Sequence, residues 1–143
     1  MAMHTWFECK IRYEKVMENG MQKKVTEPYL VDALSFTEAE ARIIEEMTPF
    51  ISGEFTVSDI KRANYSELFP SDEESADRWF KCKLIFITLD EKSGAEKKTS
   101  TQVLVQAADL RDAVKKLDEG MKGTMADYQI GMVSETPLMD VRS

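Results

Sequence analysis

Aromatic and basic side chains recur at alternate positions of two short segments, and no other pattern in the chain suits binding chemistry as well. An indole ring stacks on a flat base, and ammonium or guanidinium groups pair with phosphate. The spacing therefore predicts two patches that bind a small anionic, nucleotide-like ligand. The alternative is that the cations only solvate a sheet face while the indoles pack against a loop. The first patch consists of Trp6, Lys10 and Arg12, and the second of Trp79, Lys81 and Lys83.

Catalytic and metal-binding motifs are missing from the sequence. There is no nucleophile elbow, no phosphate-binding glycine loop and no zinc-protease helix. The single histidine, His4, lies near the N-terminus, and with two distant cysteines it makes no zinc pattern. We therefore expect a binding protein with no catalytic residue, no metal and no cofactor. The net charge of −7 disfavours binding to nucleic acid, because the molecule as a whole repels a polyanion.

The two segments that carry the patches resemble each other. Residues 6–13 read WFECKIRY and residues 79–86 read WFKCKLIF, so Trp, Phe, Cys and the second Lys recur at a shift of 73. Weaker matches continue at the same shift, which is the signature of an internal repeat. The sequence therefore predicts one ββαβ unit that occurs twice, with pseudo-two-fold symmetry between the copies.

Local signals define the elements of each copy. Asn19-Gly20 predicts a type I′ hairpin turn. Ser35 or Thr37 is suited to cap the first helix, and Asp109 the second. The alternation of apolar and polar residues along the third strand is interrupted at the same place in both copies, which predicts two β-bulges. The connections place the third strand beside the first, in the order 2-1-3. The bulges lie between Val57 and Ile60 and between Ile130 and Val133.

The resulting fold class is α+β. We expect the copies to join in a mostly antiparallel six-stranded sheet with two helices packed on one face, although two separate sheets are also compatible with the pattern. The predicted boundaries are 3–70 for the first repeat, 71–78 for an acidic linker and 79–141 for the second repeat. Both repeats would share one core within one domain, for which 143 residues suffice.

The second copy has apolar side chains where the first has charged ones. Ile85 and Ile87 occupy the strand face that carries Arg12 and Glu14 in the first copy. A strand that is apolar on both faces is covered on both. We therefore predict that Ile85 and Ile87 either lie under another layer or form an interface between identical subunits, and we expect a homo-oligomer. Cys9 and Cys82 occupy equivalent strand positions, as buried free thiols or as a disulfide.

The chain has no apolar run of 18 residues and no signal-peptide pattern, so we expect a cytoplasmic protein that does not enter membranes. WFECKIRYEK, the Asn-Gly turn and VTEPYLVDALSFTEAEAR together resemble an uncharacterised family of small proteins from gut anaerobic bacteria and their phages. The resemblance implies a cytoplasmic bacterial or phage-encoded protein, and it assigns no role to any single residue. The specific hypothesis is an oligomeric sponge that sequesters a nucleotide-like signal to counter host immunity. The alternatives are a module that docks a host protein and a nucleotide-processing enzyme whose carboxylates hold a metal.

Overall fold

The computed structural model describes residues 5–124 and 127–142, which divide into two compact units. Unit 1 spans Met1–Asn64 and Pro137–Ser143, and unit 2 spans Tyr65–Thr136. His4 and the predicted start at residue 3 lie outside the described residues. In chain order the elements are β1 (Trp6–Val16), β2 (Gln22–Asp32), α1 (Phe36–Met47), β3 (Phe55–Ala63), β4 (Glu67–Phe69), β5 (Arg78–Leu89), β6 (Glu96–Ala107), α2 (Leu110–Gly120), β7 (Asp127–Glu135) and β8 (Asp140–Arg142).

Unit 1 is a four-stranded sheet with α1 packed on one face. The strand order is β3-β1-β2-β8, and β1 pairs antiparallel with both β2 and β3. Alternation along β1 directs Phe7, Cys9 and Ile11 towards α1, where they meet Ala39 and Ile43. Ser35 caps α1, since its hydroxyl accepts a hydrogen bond from the Glu38 N–H at 3.1 Å.

Unit 2 repeats this arrangement with different side chains. Its sheet has the order β4-β6-β5-β7, with β5 antiparallel to both β6 and β7. Cys82 and Leu84 on β5 and Leu117 on α2 belong to one buried cluster. Asp109 caps α2 through a 2.8 Å hydrogen bond from the Asp112 N–H. The α+β class and the 2-1-3 strand order within each unit therefore agree with the sequence prediction.

Both predicted β-bulges are confirmed. The pairing of β1 with β3 shifts register between Lys10 and Ile11, and the pairing of β5 with β7 shifts between Lys83 and Leu84. Each shift leaves one extra residue on the outer strand: Ser58 in unit 1 and Gly131 in unit 2. The phase change of the hydrophobic pattern was a reliable signal because a bulge exchanges the two faces of a strand.

The predicted six-stranded antiparallel sheet is wrong. The described residues form two mixed sheets, each with four strands. In each sheet a three-residue strand runs parallel to the second strand of the hairpin: β8 pairs with β2, and β4 pairs with β6. These short strands occupy the outer edges of β2 and β6 at those residues, so the edges are not available for joining the two halves. The limits 3–70, 71–78 and 79–141 describe the sequence repeat and stay a prediction. The compact units of the structure have different limits, since the chain passes from one unit to the other after Asn64 and after Thr136.

The Asn19-Gly20 hairpin exists, but its turn is not type I′. Only Gly20 has positive φ, at 81°, whereas a type I′ turn needs positive φ at both central residues. Residues 17–21 instead form a longer loop, closed by hydrogen bonds from Gly20 N to Met17 O and from Met17 N to Met21 O. The Asn19 side chain accepts a further hydrogen bond from the Met21 N–H, which also stabilises this loop.

Candidate functional site

The two predicted aromatic and basic patches each lie on one sheet face, opposite the helix. Trp6, Lys10 and Arg12 alternate with the core residues of β1, and Trp79, Lys81 and Lys83 alternate with those of β5. Both indoles are buried, with 6% of Trp6 and 5% of Trp79 exposed. Neither ring therefore offers a free face for stacking in this structure, and ligand binding by these six residues stays a prediction.

Acidic neighbours surround Lys10 in the first patch. Glu8 lies on the same face of β1 and forms an ion pair with Lys61, Nζ to Oε2 at 3.3 Å. Asp59 stands directly opposite Lys10 in the register of β1 with β3. The middle of the patch is thus a mixture of charges, and Arg12 extends beyond it towards the hairpin end.

The predicted interface residues are only partly exposed. Ile85 packs over the bulge of β7, because a Cβ added at Gly131 would lie 2.9 Å from Ile85 Cδ1. Ile87 is likewise partly buried. Gly131 therefore serves close packing as well as the bulge, and an interface through Ile85 and Ile87 stays a prediction. Cys9 and Cys82 are both buried free thiols, so the disulfide alternative is wrong.

A cleft at the hairpin end of unit 1 brings Arg12 together with residues that the sequence did not single out. Its volume is about 880 Å³, within the usual range of small-molecule sites. It combines three cations, two carboxylates and three aromatic rings. The lining residues are Arg12, Tyr13, Glu14, Lys15, Val16, Gln22, Lys24, Phe50, Ile51, Ser52, Gly53, Glu54, Phe55 and Thr56.

Three segments build this cleft, and the loop after α1 shapes it. Helix α1 ends at Met47, where the Thr48 N–H and hydroxyl both bond to the Ile44 carbonyl and Pro49 cannot continue the helix. Ile51 then enters the core of unit 1, which anchors the loop. Its neighbour Phe50 is left 66% exposed at the cleft. Gly53, at φ 95°, turns the chain into β3.

Two residues that line the cleft, Tyr13 and Lys15, belong to a hydrogen-bonded group around Glu27, which itself does not line the cleft. Tyr13 donates to Glu27 Oε1 at 2.8 Å, Tyr29 donates to the same oxygen at 3.2 Å, and Lys15 Nζ lies 3.7 Å from Oε2. Burial, with the neighbouring Glu27 carboxylate, raises the pKa of Tyr13 to about 12. The Tyr13 phenol is therefore protonated at neutral pH and acts as a hydrogen-bond donor. The Glu27 carboxylate also forms an ion pair with Lys15.

Arg12 and Lys24 carry the remaining positive charge of the cleft. Neither forms an ion pair within the part of the chain that the structure describes, although Lys24 stands opposite Glu14 in the hairpin register. Both side chains are exposed. A cleft that is lined by an exposed arginine, an exposed lysine and aromatic residues is suited to an anion that also has a flat or apolar part.

The fold does not require a cation at the position of Arg12. In unit 2 the equivalent hairpin positions are Ile85 and Ile87, which pair with Ser100 and Lys98 as Arg12 and Glu14 pair with Thr26 and Lys24. The same strand geometry is thus built once with charged and once with apolar side chains. Arg12 is for this reason a residue whose chemistry the fold alone does not explain.

Sequence reasoning found Arg12 but missed Lys24 and Phe50. Lys24 is one of several lysines in the hairpin, and nothing in the linear pattern distinguishes it from Lys23. Phe50 offered one signal, since it is an aromatic residue in a loop directly after Pro49. In the described segments no group of three or more His, Cys, Asp and Glu side chains is arranged to hold a metal, and no helix is long and apolar enough to cross a bilayer.

Two mixed four-stranded sheets, each with one helix on one face, define the chain as an α+β protein. The model of the family described as "Domain of unknown function (DUF4494)" matches residues 5–143, so the chain belongs to the DUF4494 family. The predicted membership of an uncharacterised domain family is thereby confirmed. Neither the search of curated proteins nor the search of solved structures found a match.

Proposed function

We propose that this protein is a non-enzymatic binding protein that holds a small anionic, nucleotide-like ligand in the cleft of unit 1. The observation that carries this proposal is that Arg12, Lys24 and the exposed ring of Phe50 all line one cleft of about 880 Å³. Phosphate would pair with the cations, and a base would stack on the ring. The acidic remainder of the protein, with a net charge of −7, makes this local positive charge selective for small anions over polyanions.

The test is a calorimetric titration with AMP, ATP, cyclic AMP and cyclic di-AMP, with adenosine and inorganic phosphate as controls for the base and the charge. We expect Arg12→Gln and Lys24→Gln each to weaken binding by about tenfold or more, since a hydrogen bond to a charged group contributes about 1.5–3 kcal/mol. The affinity should also fall with added salt.

Two substitutions outside the cleft serve as matched controls. Lys98 occupies the hairpin position of Lys24 in unit 2, and Arg111 is an exposed arginine on α2. Lys98→Gln and Arg111→Gln change the net charge by the same amount and should leave the affinity unchanged. Absence of binding by every nucleotide at millimolar concentration, or equal losses in the cleft variants and the controls, would overturn the proposal.

We further propose a homo-oligomer in the cytoplasm of a bacterium, or of a host cell when a phage encodes the protein, that sequesters a nucleotide-like signal. Apolar side chains exposed around α1 support assembly: Leu34 is 86% exposed, and Phe36 and Ile44 are also exposed. Light scattering coupled to gel filtration tests this directly. A monomer for the wild type, or an unchanged oligomer in Leu34→Ser/Ile44→Ser, would refute assembly through this surface.

A second candidate function, docking of a host protein, is favoured by the same exposed apolar side chains around α1. It predicts a monomer that binds no nucleotide, so the two measurements above separate the candidates. We also propose that the units arose by duplication of one segment. The equal strand orders of the two sheets and the bulges at equivalent residues support that origin.

A further inference from the structure

The last described strand of the chain belongs to unit 1, although unit 2 precedes it in sequence. Strand β8 runs parallel to β2, with Tyr29 paired to Asp140 and Val31 to Arg142. The Met139 N–H donates to the Pro28 carbonyl at 2.9 Å, which leads the chain into this pairing. Through this strand, Arg142 reaches the loop that forms one wall of the cleft.

Arg142 is held beside the ring of Phe50. The guanidinium carbon lies 5.1 Å from the ring centroid, within the range of a cation–π contact. Two carboxylates form ion pairs with the guanidinium group: Nη1 is 3.9 Å from Glu46 Oε2, and Nε is 3.3 Å from Asp140 Oδ2. The Nε contact lacks hydrogen-bond alignment, so it is an ion pair only. Phe50 lines the cleft whereas Arg142 does not.

The equivalent site in unit 2 shows that the fold needs no arginine here. Strand β4 pairs with β6 as β8 pairs with β2, and its residue at the place of Arg142 is Phe69, opposite Val105. Phe69 packs directly on Gly120 of α2 as an ordinary apolar contact. An arginine at this place therefore has a use that is specific to unit 1, which also has Phe50 and the positive cleft.

We propose that Arg142 is a positioning residue that holds the Phe50 ring as the aromatic wall of the cleft, so that β8 is part of the ligand site. This inference rests on the proposed function for its ligand and on the contacts above for its geometry. The guanidinium group covers one side of the ring and restricts its rotation. A stacked base then meets a ring that is already ordered, and less conformational entropy is lost on binding.

The experiment compares Arg142→Met, Arg142→Lys and Phe50→Ala, alone and as the double variant Arg142→Met/Phe50→Ala. Hydrogen exchange of residues 50–53 is followed without ligand, and the titrations use AMP, ATP and cyclic di-AMP. We expect Arg142→Met to speed amide exchange in the loop by about tenfold and to weaken nucleotide binding by about fivefold. Arg142→Lys keeps the charge and should restore part of both. In the Phe50→Ala background, Arg142→Met should have no further effect on affinity.

Each outcome decides the inference. If the wild type binds a nucleotide and Arg142→Met binds it equally well, or if the losses in the double variant add, the positioning role is refuted while the proposed function stands. If no nucleotide binds to the wild type, the proposed function fails, and the exchange rates alone decide: unchanged exchange refutes positioning, and faster exchange supports it. Should Arg142→Met fail to fold by circular dichroism, the same comparisons apply to Arg142→Lys, for which unchanged exchange and affinity together refute the role.

Discussion

Substitution of Gly120 tests how the short strand β4 packs against α2 in unit 2. It is the last residue of α2, and its backbone is not in a conformation that favours glycine. A Cβ added there would lie 2.8 Å from Phe69 Cδ1 and Cε1 and 3.1 Å from Cζ. Unstrained carbon atoms stay about 3.5–4.0 Å apart, so the Phe69 ring would have to move by roughly 0.7 Å or more.

Two effects of opposite sign compete in Gly120→Ala. Alanine favours the helix by up to about 1 kcal/mol over glycine, and by less at the last helical residue. Overpacking against Phe69 costs about 1–3 kcal/mol, because a ring that is already seated must be displaced. We expect the second effect to dominate, with a net loss of about 1 kcal/mol in the free energy of unfolding and a melting temperature lower by about 3 °C.

A double-mutant cycle in urea isolates the contact. In the Phe69→Ala background the overpacking is gone, so Gly120→Ala should become neutral or stabilising, with a coupling energy of about 1–2 kcal/mol between the two sites. Equal effects of Gly120→Ala in both backgrounds would show that β4 does not pack on α2 as described. Stabilisation by Gly120→Ala in the presence of Phe69 would refute the packing argument altogether.

Two further predictions concern folding stability. Ser35→Ala should lower the free energy of unfolding in urea by about 1 kcal/mol, because the Glu38 N–H loses its acceptor, whereas Ser35→Asp should retain the cap; equal stability of all three proteins would contradict the capping role. Burial raises the pKa of Cys9 to about 12 and that of Cys82 to about 11, from the ordinary value of 9.0, so above pH 9 the unfolded chain binds fewer protons than the folded one. The free energy of unfolding should not depend on these thiols below pH 9, and it should fall by about 1.4 kcal/mol per pH unit per thiol towards pH 11. If the same fall with pH persists in Cys9→Ala/Cys82→Ala, the thiols are not its cause.

Of the three residues on which the candidate site depends, the sequence identified only Arg12. Alternation in β1 identified Arg12 as a residue directed away from the core of unit 1. The indole of Trp6 was expected at an exposed face and is buried, because alternation states which side chains share a face but not whether that face is covered. Phe50 and Lys24 join Arg12 only through the fold, since they come from a loop and from the opposite strand of the hairpin.

The sequence by itself determined the elements whose signal is local. The hydrophobic period defined β1 and β5, the side chains of Ser35 and Asp109 marked the helix starts, and the phase breaks located both bulges. These features depend on residues a few positions apart, so the chain specifies them before any distant contact forms.

Only the tertiary structure decided the partners of β4 and β8. A three-residue strand is too short to show a period, and both segments read as connections rather than strands. Strand β4 pairs with a strand about thirty-five residues away, Leu68 with Leu104. Strand β8 pairs with one more than one hundred residues away, Val141 with Leu30. Such a strand pairs with the unpaired backbone N–H and C=O groups at the edge of a sheet that has already formed. This edge exists only in the folded unit, so no local sequence pattern encodes it.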